Sequence, residues 1–260
     1  MSMPLAAAIR PKELSDVCGQ KHLLSENSVF RRAIEKGVTP NMIFFGPSGV
    51  GKTTVASIIA RKTGKKLFKL NGTQSSTADI KDIINQINTF GTENGILLYL
   101  DEIQYLNKKQ QQSLLEVIED GSVTLIASTT ENPYFAIFNA ILSRCTVFEF
   151  KPLTAQDVAE GIGKAVVRYK EENGVDIDIS DEAKQTLSYG CGGDMRKCYN
   201  ALELLIAAAR EEDGKLVITN DMAKQVTQRS SNRFDNSGDV HYNLLSDEGE
   251  AFSSPSLFNR

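Results

Sequence analysis

The sequence predicts a three-layer α/β fold on a parallel sheet, followed by a small all-helical domain, and three observations carry that prediction. Short apolar runs alternate with stretches of helical spacing between residues 42 and 150, as they do when strands and helices take turns along a chain. The run Ile96-Leu97-Leu98-Tyr99-Leu100 is apolar throughout, which suits a strand covered on both faces. After Pro152 the strand pattern gives way to amphipathic helical spacing.

Taken in order, residues 42–45 read as a strand that ends in a glycine-rich turn, and the stretch Thr53-Thr54-Val55-Ala56-Ser57-Ile58-Ile59 begins a helix. A second strand is expected at 66–70. A helix is expected over 77–90, with Ile80, Ile83, Ile84 and Ile87 on one face. The strand at 96–100 follows, then a helix at 108–119, a strand at 123–128, a short helix before Cys145 and a strand at 147–150. Beyond these come helices at 154–172, 180–189 and 193–212, with little strand except 216–218. Asp181 and Asp194 stand where helix caps belong, and Gly174, Gly190 and Gly214 where helices stop. The expected units are an α/β domain at 1–152, a helical lid domain at 153–230, and a polar linker or tail at 231–260.

Composition excludes several classes. No run of eighteen apolar residues exists to cross a membrane, and the N-terminus lacks the pattern of a secretory signal. A cytoplasmic location is the resulting expectation. Four scattered cysteines and two histidines do not form a metal-binding spacing, so reduced structural thiols are expected. A net charge of −4 gives no global attraction to nucleic acid. Any DNA contact must be local, through Arg31-Arg32, through Arg61, Lys62, Lys65, Lys66 and Lys69, or through Lys108-Lys109. Each of these clusters also reads as a solvated helix face.

The chemistry is concentrated between strand ends. Gly46-Pro47-Ser48-Gly49-Val50-Gly51-Lys52-Thr53 matches GxxxxGK[ST], with a strand before it and a helix, begun by Thr54, after it. Glycines let the loop wrap phosphates with backbone N–H groups, and the helix N-terminus adds a favourable field. Lys52 supplies charge to the outer phosphates, and the Thr53 hydroxyl is a ligand for Mg²⁺. ATP and Mg²⁺ are therefore the expected cofactors. At the end of the 96–100 strand, Asp101 suits a water-bridged hold on Mg²⁺ and Glu102 suits a general base. Thr129 and Thr130 lie at another strand end, within reach of a terminal phosphate or attacking water. Arg144 and Arg196 read on spacing alone as surface ions.

Together these segments resemble the AAA+ ATPases. The closer resemblance is to the family of replication-associated recombination protein A and the Werner-helicase-interacting proteins, over about residues 4–245. Its carriers are PLAAAIRPKELSDVCGQKHLL, GPSGVGKTT, LDEIQYLNKKQQ, EDGSVTLIASTTENPYF, LSRC and GGDMRKCYNALE. The resemblance implies that Asp101 and Glu102 are Walker B residues, Thr129 with Thr130 beside it sensor 1, Arg144 an arginine finger acting in trans, and Arg196 sensor 2. It further implies that the segment around Val17 and Cys18 lines the adenine pocket and that Asn71 restrains Glu102 until DNA binds. Ser48 stands where a second proline is usual, and Gln104-Tyr105 where His-Arg is usual.

A DNA-associated ATPase of replication-fork maintenance and recombination is the expected function. Its expected partners are single-stranded, junction or fork DNA and replication and recombination proteins, and a nucleoid-associated location goes with them. The family's chain continues past His241-Tyr242-Asn243-Leu244-Leu245 with a helical oligomerisation domain, so a homo-oligomer is expected of the full-length form. The alternatives are a clamp-loader-like subunit or Holliday-junction motor, a small-molecule P-loop kinase, and a nucleotide-dependent scaffold without turnover.

Overall fold

The computed structural model describes residues 10–231 apart from Asn88 and Phe90. Beyond Ser231, the tail expected at 231–260 lies outside the described residues. Two short helices, α1 (Lys21–Leu24) and α2 (Val29–Glu35), lead into β1 (Met42–Phe45) and α3 (Lys52–Lys62). Then come β2 (Lys66–Asn71), α4 (Thr77–Ile84), β3 (Ile96–Asp101), α5 (Lys108–Glu119) and β4 (Val123–Thr129). Two short helices, α6 (Pro133–Ala136) and α7 (Asn139–Leu142), precede β5 (Thr146–Glu149). The five strands are all parallel, in the order β2-β3-β4-β1-β5. The crossover from β1 through α3 to β2 leaves β1 with β4 and β5 as neighbours, and such a switch in strand order leaves a crevice at the carboxyl ends of the strands.

Side chains along each strand alternate between the two faces. Phe44, Leu97, Tyr99 and Ile126 pack on one side with Val55 and Ile59 of α3. Ile43, Leu98, Leu100 and Leu125 pack on the other with Ile80, Leu114 and Ile141. Each large aliphatic side chain removed from water here contributes about 1.5–3 kcal/mol, and β4 is buried along its whole length.

Helix α4 is shorter than the isoleucine spacing suggests. Asn85 caps it, and Gln86 and Ile87 instead donate i→i−3 bonds to Ile83 and Ile84. Ile87 still packs against the core from this turn, so the apolar spacing marks burial past the point where the helix stops.

The second region comprises α8 (Ala155–Asn173), α9 (Asp181–Gly190), α10 (Met195–Ala208) and α11 (Asn220–Ser231), with three strands, of which the sequence reading expects only the one at 216–218. These are β6 (Asp176–Ile179), β7 (Arg210–Glu212) and β8 (Lys215–Ile218), in the order β6-β8-β7. The helix expected to reach residue 212 stops at Ala208, because Ala209 is extended. Asp213 and Gly214, both with positive φ, form a two-residue turn between antiparallel β7 and β8, the geometry that Asp-Gly favours in hairpins. Gly214 is thus a hairpin residue and not a helix stop. Asp194 caps α10 as expected, whereas Ser180, one residue before Asp181, caps α9. Among the described residues no helix is long and apolar enough to cross a membrane, and all four cysteines are free thiols.

Candidate nucleotide site

The glycine-rich loop from Gly46 to Gly51 is fixed by what surrounds it. Gly46 has φ +146°, and a Cβ there would lie 2.0 Å from the Phe150 carbonyl oxygen. At Gly49 a Cβ would lie 1.9 Å from the Asp194 carboxylate, so the loop packs directly on the cap of α10. The Met195 amide also donates to the Gly49 carbonyl at 3.1 Å. On the other flank Gln20 clasps the Lys151 backbone, donating to its carbonyl at 2.7 Å and accepting from its amide at 2.9 Å. The same amide group reaches the Val50 carbonyl at 3.5 Å. The loop is thereby held between the N-terminal segment, the end of the sheet and the second region.

Lys52, buried at the start of α3, donates to the carbonyls of Gly46 and Pro47. Burial pushes its ammonium pKa below the usual lysine value and Arg196 adds to that, while Glu102 and Asp101 pull it back up. One cleft is lined by Val17 and Cys18, by Ser48 through Thr54, by Asp101 and Glu102, and by Arg196. Most of the residues expected to bind nucleotide therefore converge on one space, with Gly46 and Pro47 behind it against Lys52. Burial pushes the Cys18 thiol up to about 11, so it stays protonated at neutral pH. Sequence reasoning missed five lining residues, Arg10, Pro11, Leu153, Met195 and Tyr199. Met195 adjoins Arg196, but the helical periodicity of α10 marks both Met195 and Tyr199 simply as core.

At the floor, the Tyr99 hydroxyl lies 3.0 Å from Thr53 Oγ1, 3.0 Å from Ser128 Oγ and 3.1 Å from Asp101 Oδ1. Ser128 donates to the same Asp101 oxygen. Burial, and then the Asp101 charge, hold the Tyr99 phenol well above the usual tyrosine value. Thr53 and Asp101 are thus linked through one hydroxyl, offering a neutral and an anionic oxygen. This donor set fits Mg²⁺, which prefers oxygen ligands and retains water.

Glu102 takes φ 52°, ψ 54°, between the end of β3 and the fully buried Ile103. Its Oε2 accepts from Gln104 Nε2 at 2.6 Å and from Thr130 Oγ1 at 3.3 Å. Asn71, expected to restrain Glu102, instead accepts from the amide and hydroxyl of Thr73. It stands beside Asp101 in the strand register, but the Asx turn claims its side chain. Thr129 is fully buried, and its hydroxyl is engaged with the Glu131 backbone. Of the two threonines it is therefore Thr130 that touches Glu102.

Arg144 lies just beyond α7, away from this cleft. It is paired with Glu119 at 2.6 Å and bonded to the Ala140 carbonyl. Arg196 occupies the first turn of α10, its amide capped by Asp194 at 2.8 Å.

Residues 42–153 match the family model described as ATPase family associated with various cellular activities (AAA), and residues 172–247 match AAA C-terminal domain. Residues 42–153 belong to the AAA family. Among curated AAA relatives, it is 36% identical to Replication-associated recombination protein A of Bacillus subtilis, covering 94% of this chain and 58% of that one. It is 36% identical to the protein of the same name from Escherichia coli K12, over 94% and 55%. ATPase WRNIP1 of Dictyostelium discoideum is 34% identical over 94% of this chain and 30% of its own length. The chain thus spans a little over half the length of these bacterial relatives. The solved Holliday junction branch migration motor RuvB of Thermotoga maritima superposes with a TM-score of 0.66, at 23% identity, covering 85% of this chain and 73% of that one. At that identity the likeness shows the AAA fold alone.

Proposed function

We propose that this AAA chain is the ATPase unit of a DNA-associated protein of replication-fork maintenance and recombination, binding ATP with Mg²⁺ in the cleft and hydrolysing it. The observation that carries the reading is the convergence of Lys52, Thr53, Asp101, Glu102 and Arg196 on one cleft between the two regions. In this reading residues 1–152 are the nucleotide-binding domain, 153–230 the lid domain, and 231–260 a linker or tail. The apolar wall of Val17, Cys18, Leu153, Met195 and Tyr199 takes the base. The loop amides and Lys52 take the phosphates. Thr53 and Asp101 hold Mg²⁺, which neutralises charge on the phosphate oxygens when bound. Glu102 orients the attacking water and accepts its proton. Arg196 brings the lid domain's charge to the phosphates. Arg144, turned away from its own cleft, serves the cleft of a neighbouring copy in a head-to-tail homo-oligomer. The relatives named for replication-associated recombination favour DNA at forks, junctions or single-stranded ends, together with replication proteins, as partners in the cytoplasm at the nucleoid.

The test is ATP turnover with Mg²⁺, first without DNA and then with single-stranded, duplex and forked DNA, alongside Lys52→Ala and Glu102→Gln. Turnover raised by DNA and lost in both variants is expected. Nucleotide binding without turnover in any condition would move the chain to the scaffold class.

A further inference from the structure

We propose that Tyr99 is a positioning residue of the cation site, its buried hydroxyl ordering the Thr53 hydroxyl and the Asp101 carboxylate so that their free lone pairs face the cation. The proposal rests on the nucleotide-site reading above and adds to it a residue outside the loop and the acidic pair.

Tyr99 is 1% exposed and shares the α3 face of β3 with Leu97. Packing alone would be served by any large apolar side chain there, but a buried phenol requires a hydrogen-bond partner. This one has three, contributed by α3, β3 and β4. Counting protons fixes the direction of the chain. Three hydroxyls bring one proton each, and the carboxylate only accepts. Ser128 gives its proton to Asp101 Oδ1. Were Tyr99 to point its proton at Thr53 or Ser128, its bare oxygen would face Asp101 Oδ1 at 3.1 Å, acceptor against acceptor. The Tyr99 proton is therefore directed at Asp101 Oδ1 and shared with Ser128 Oγ in a three-centre bond, and the Tyr99 oxygen is left to accept from Thr53.

Two consequences follow for a cation. The Thr53 proton is drawn inward, which turns the remaining lone pairs of Oγ1 outward. Asp101 Oδ1 is saturated by two hydroxyls, which leaves Oδ2 as the oxygen free to face the cation and its water. Partners of this kind, one bond removed from the ion, fix ligand orientation, and their loss costs about 10–100-fold in metal affinity.

The experiment compares wild type with Tyr99→Phe, which keeps the ring. Fluorescence anisotropy gives the affinity for a fluorescent ATP analogue, first in EDTA and then across a Mg²⁺ titration. Expected are equal affinities in EDTA and a Mg²⁺ half-point raised about tenfold in the variant. An unchanged Mg²⁺ dependence in Tyr99→Phe would overturn the proposal while leaving the nucleotide site standing. Wild-type protein that binds no analogue under any condition overturns the site reading and this proposal with it. Should Tyr99→Phe fail to fold, fluorotyrosine at the same position reports instead. Its fluorine resonance is expected to shift when Mg²⁺ is added to the ATP-bound protein, and an unmoved resonance overturns the proposal.

Discussion

The two faces of the sheet are built alike but connected differently. On one face Phe44, Leu97 and Ile126 pack on α3, and the same core continues through Val17 and Leu153 to Met195 and Leu202 of the helical region. On the other, Leu98, Leu100 and Leu125 pack with residues of α4, α5 and α7 in a core that includes nothing from that region. The first face therefore shares its packing with the part of the molecule that caps the nucleotide cleft. The second is closed on itself, and Gln111 braces it by bonding the Leu106 carbonyl and the Phe138 amide. In the proposed reading a change of nucleotide is transmitted across the shared core, and the closed block presents Arg144 to a neighbouring copy.

The strongest challenge to this contrast is at Arg144. In assembled protein, Arg144→Ala should lower turnover by about a thousandfold, and mixing it with Glu102→Gln protein should restore part of the activity through mixed interfaces. Demonstrably mixed assemblies without recovery would return Arg144 to a local role beside Glu119. Next in size is a pair of truncations, each expected to cost about 2–5 kcal/mol in urea unfolding. Leu98→Ala, in the closed core, should leave affinity for an ATP analogue unchanged. Leu202→Ala, in the shared core, should weaken it as well, and equal affinities in the two proteins would erase the distinction. The smallest effect is expected at Gln104. Removing its 2.6 Å bond by Gln104→Ala frees the Glu102 carboxylate, and DNA-independent turnover should rise about two- to fivefold, a fraction of what a hydrogen bond to a charged group contributes. A fall in turnover at constant KM would show that Gln104 holds the carboxylate in its working position.

The sheet was legible chiefly through the continuous apolar runs at 42–45 and 96–100, whereas β2 and β5 mix polar and apolar residues and were placed by the alternation of strand and helix around them. The loop was legible because only glycine fits at Gly46 and Gly49. The small second sheet was not, since β7 is exposed throughout and β6 reads Asp-Ile-Asp-Ile, short of an apolar run. The Asp213-Gly214 turn was a usable signal that the helical reading of its surroundings overrode. At the site, sequence named the residues that converge but not which side chains touch. Asn71 and Gln104 are both amides within reach of the acidic pair, and only the Asx turn at Thr73 decides between them. Contacts such as Gln20 with Lys151 join residues 131 positions apart, a separation at which no local periodicity carries information.

The left-handed backbone at Glu102 bears on how such a chain evolves. A non-glycine residue held there costs about 1 kcal/mol or more, and glycine or asparagine would tolerate the same turn with less strain. Selection for thermal stability alone would drift this position away from glutamate. Glu102 is the non-glycine lining residue held in that conformation, so in the proposed reading, where its carboxylate deprotonates water, catalysis and robustness compete at a single codon.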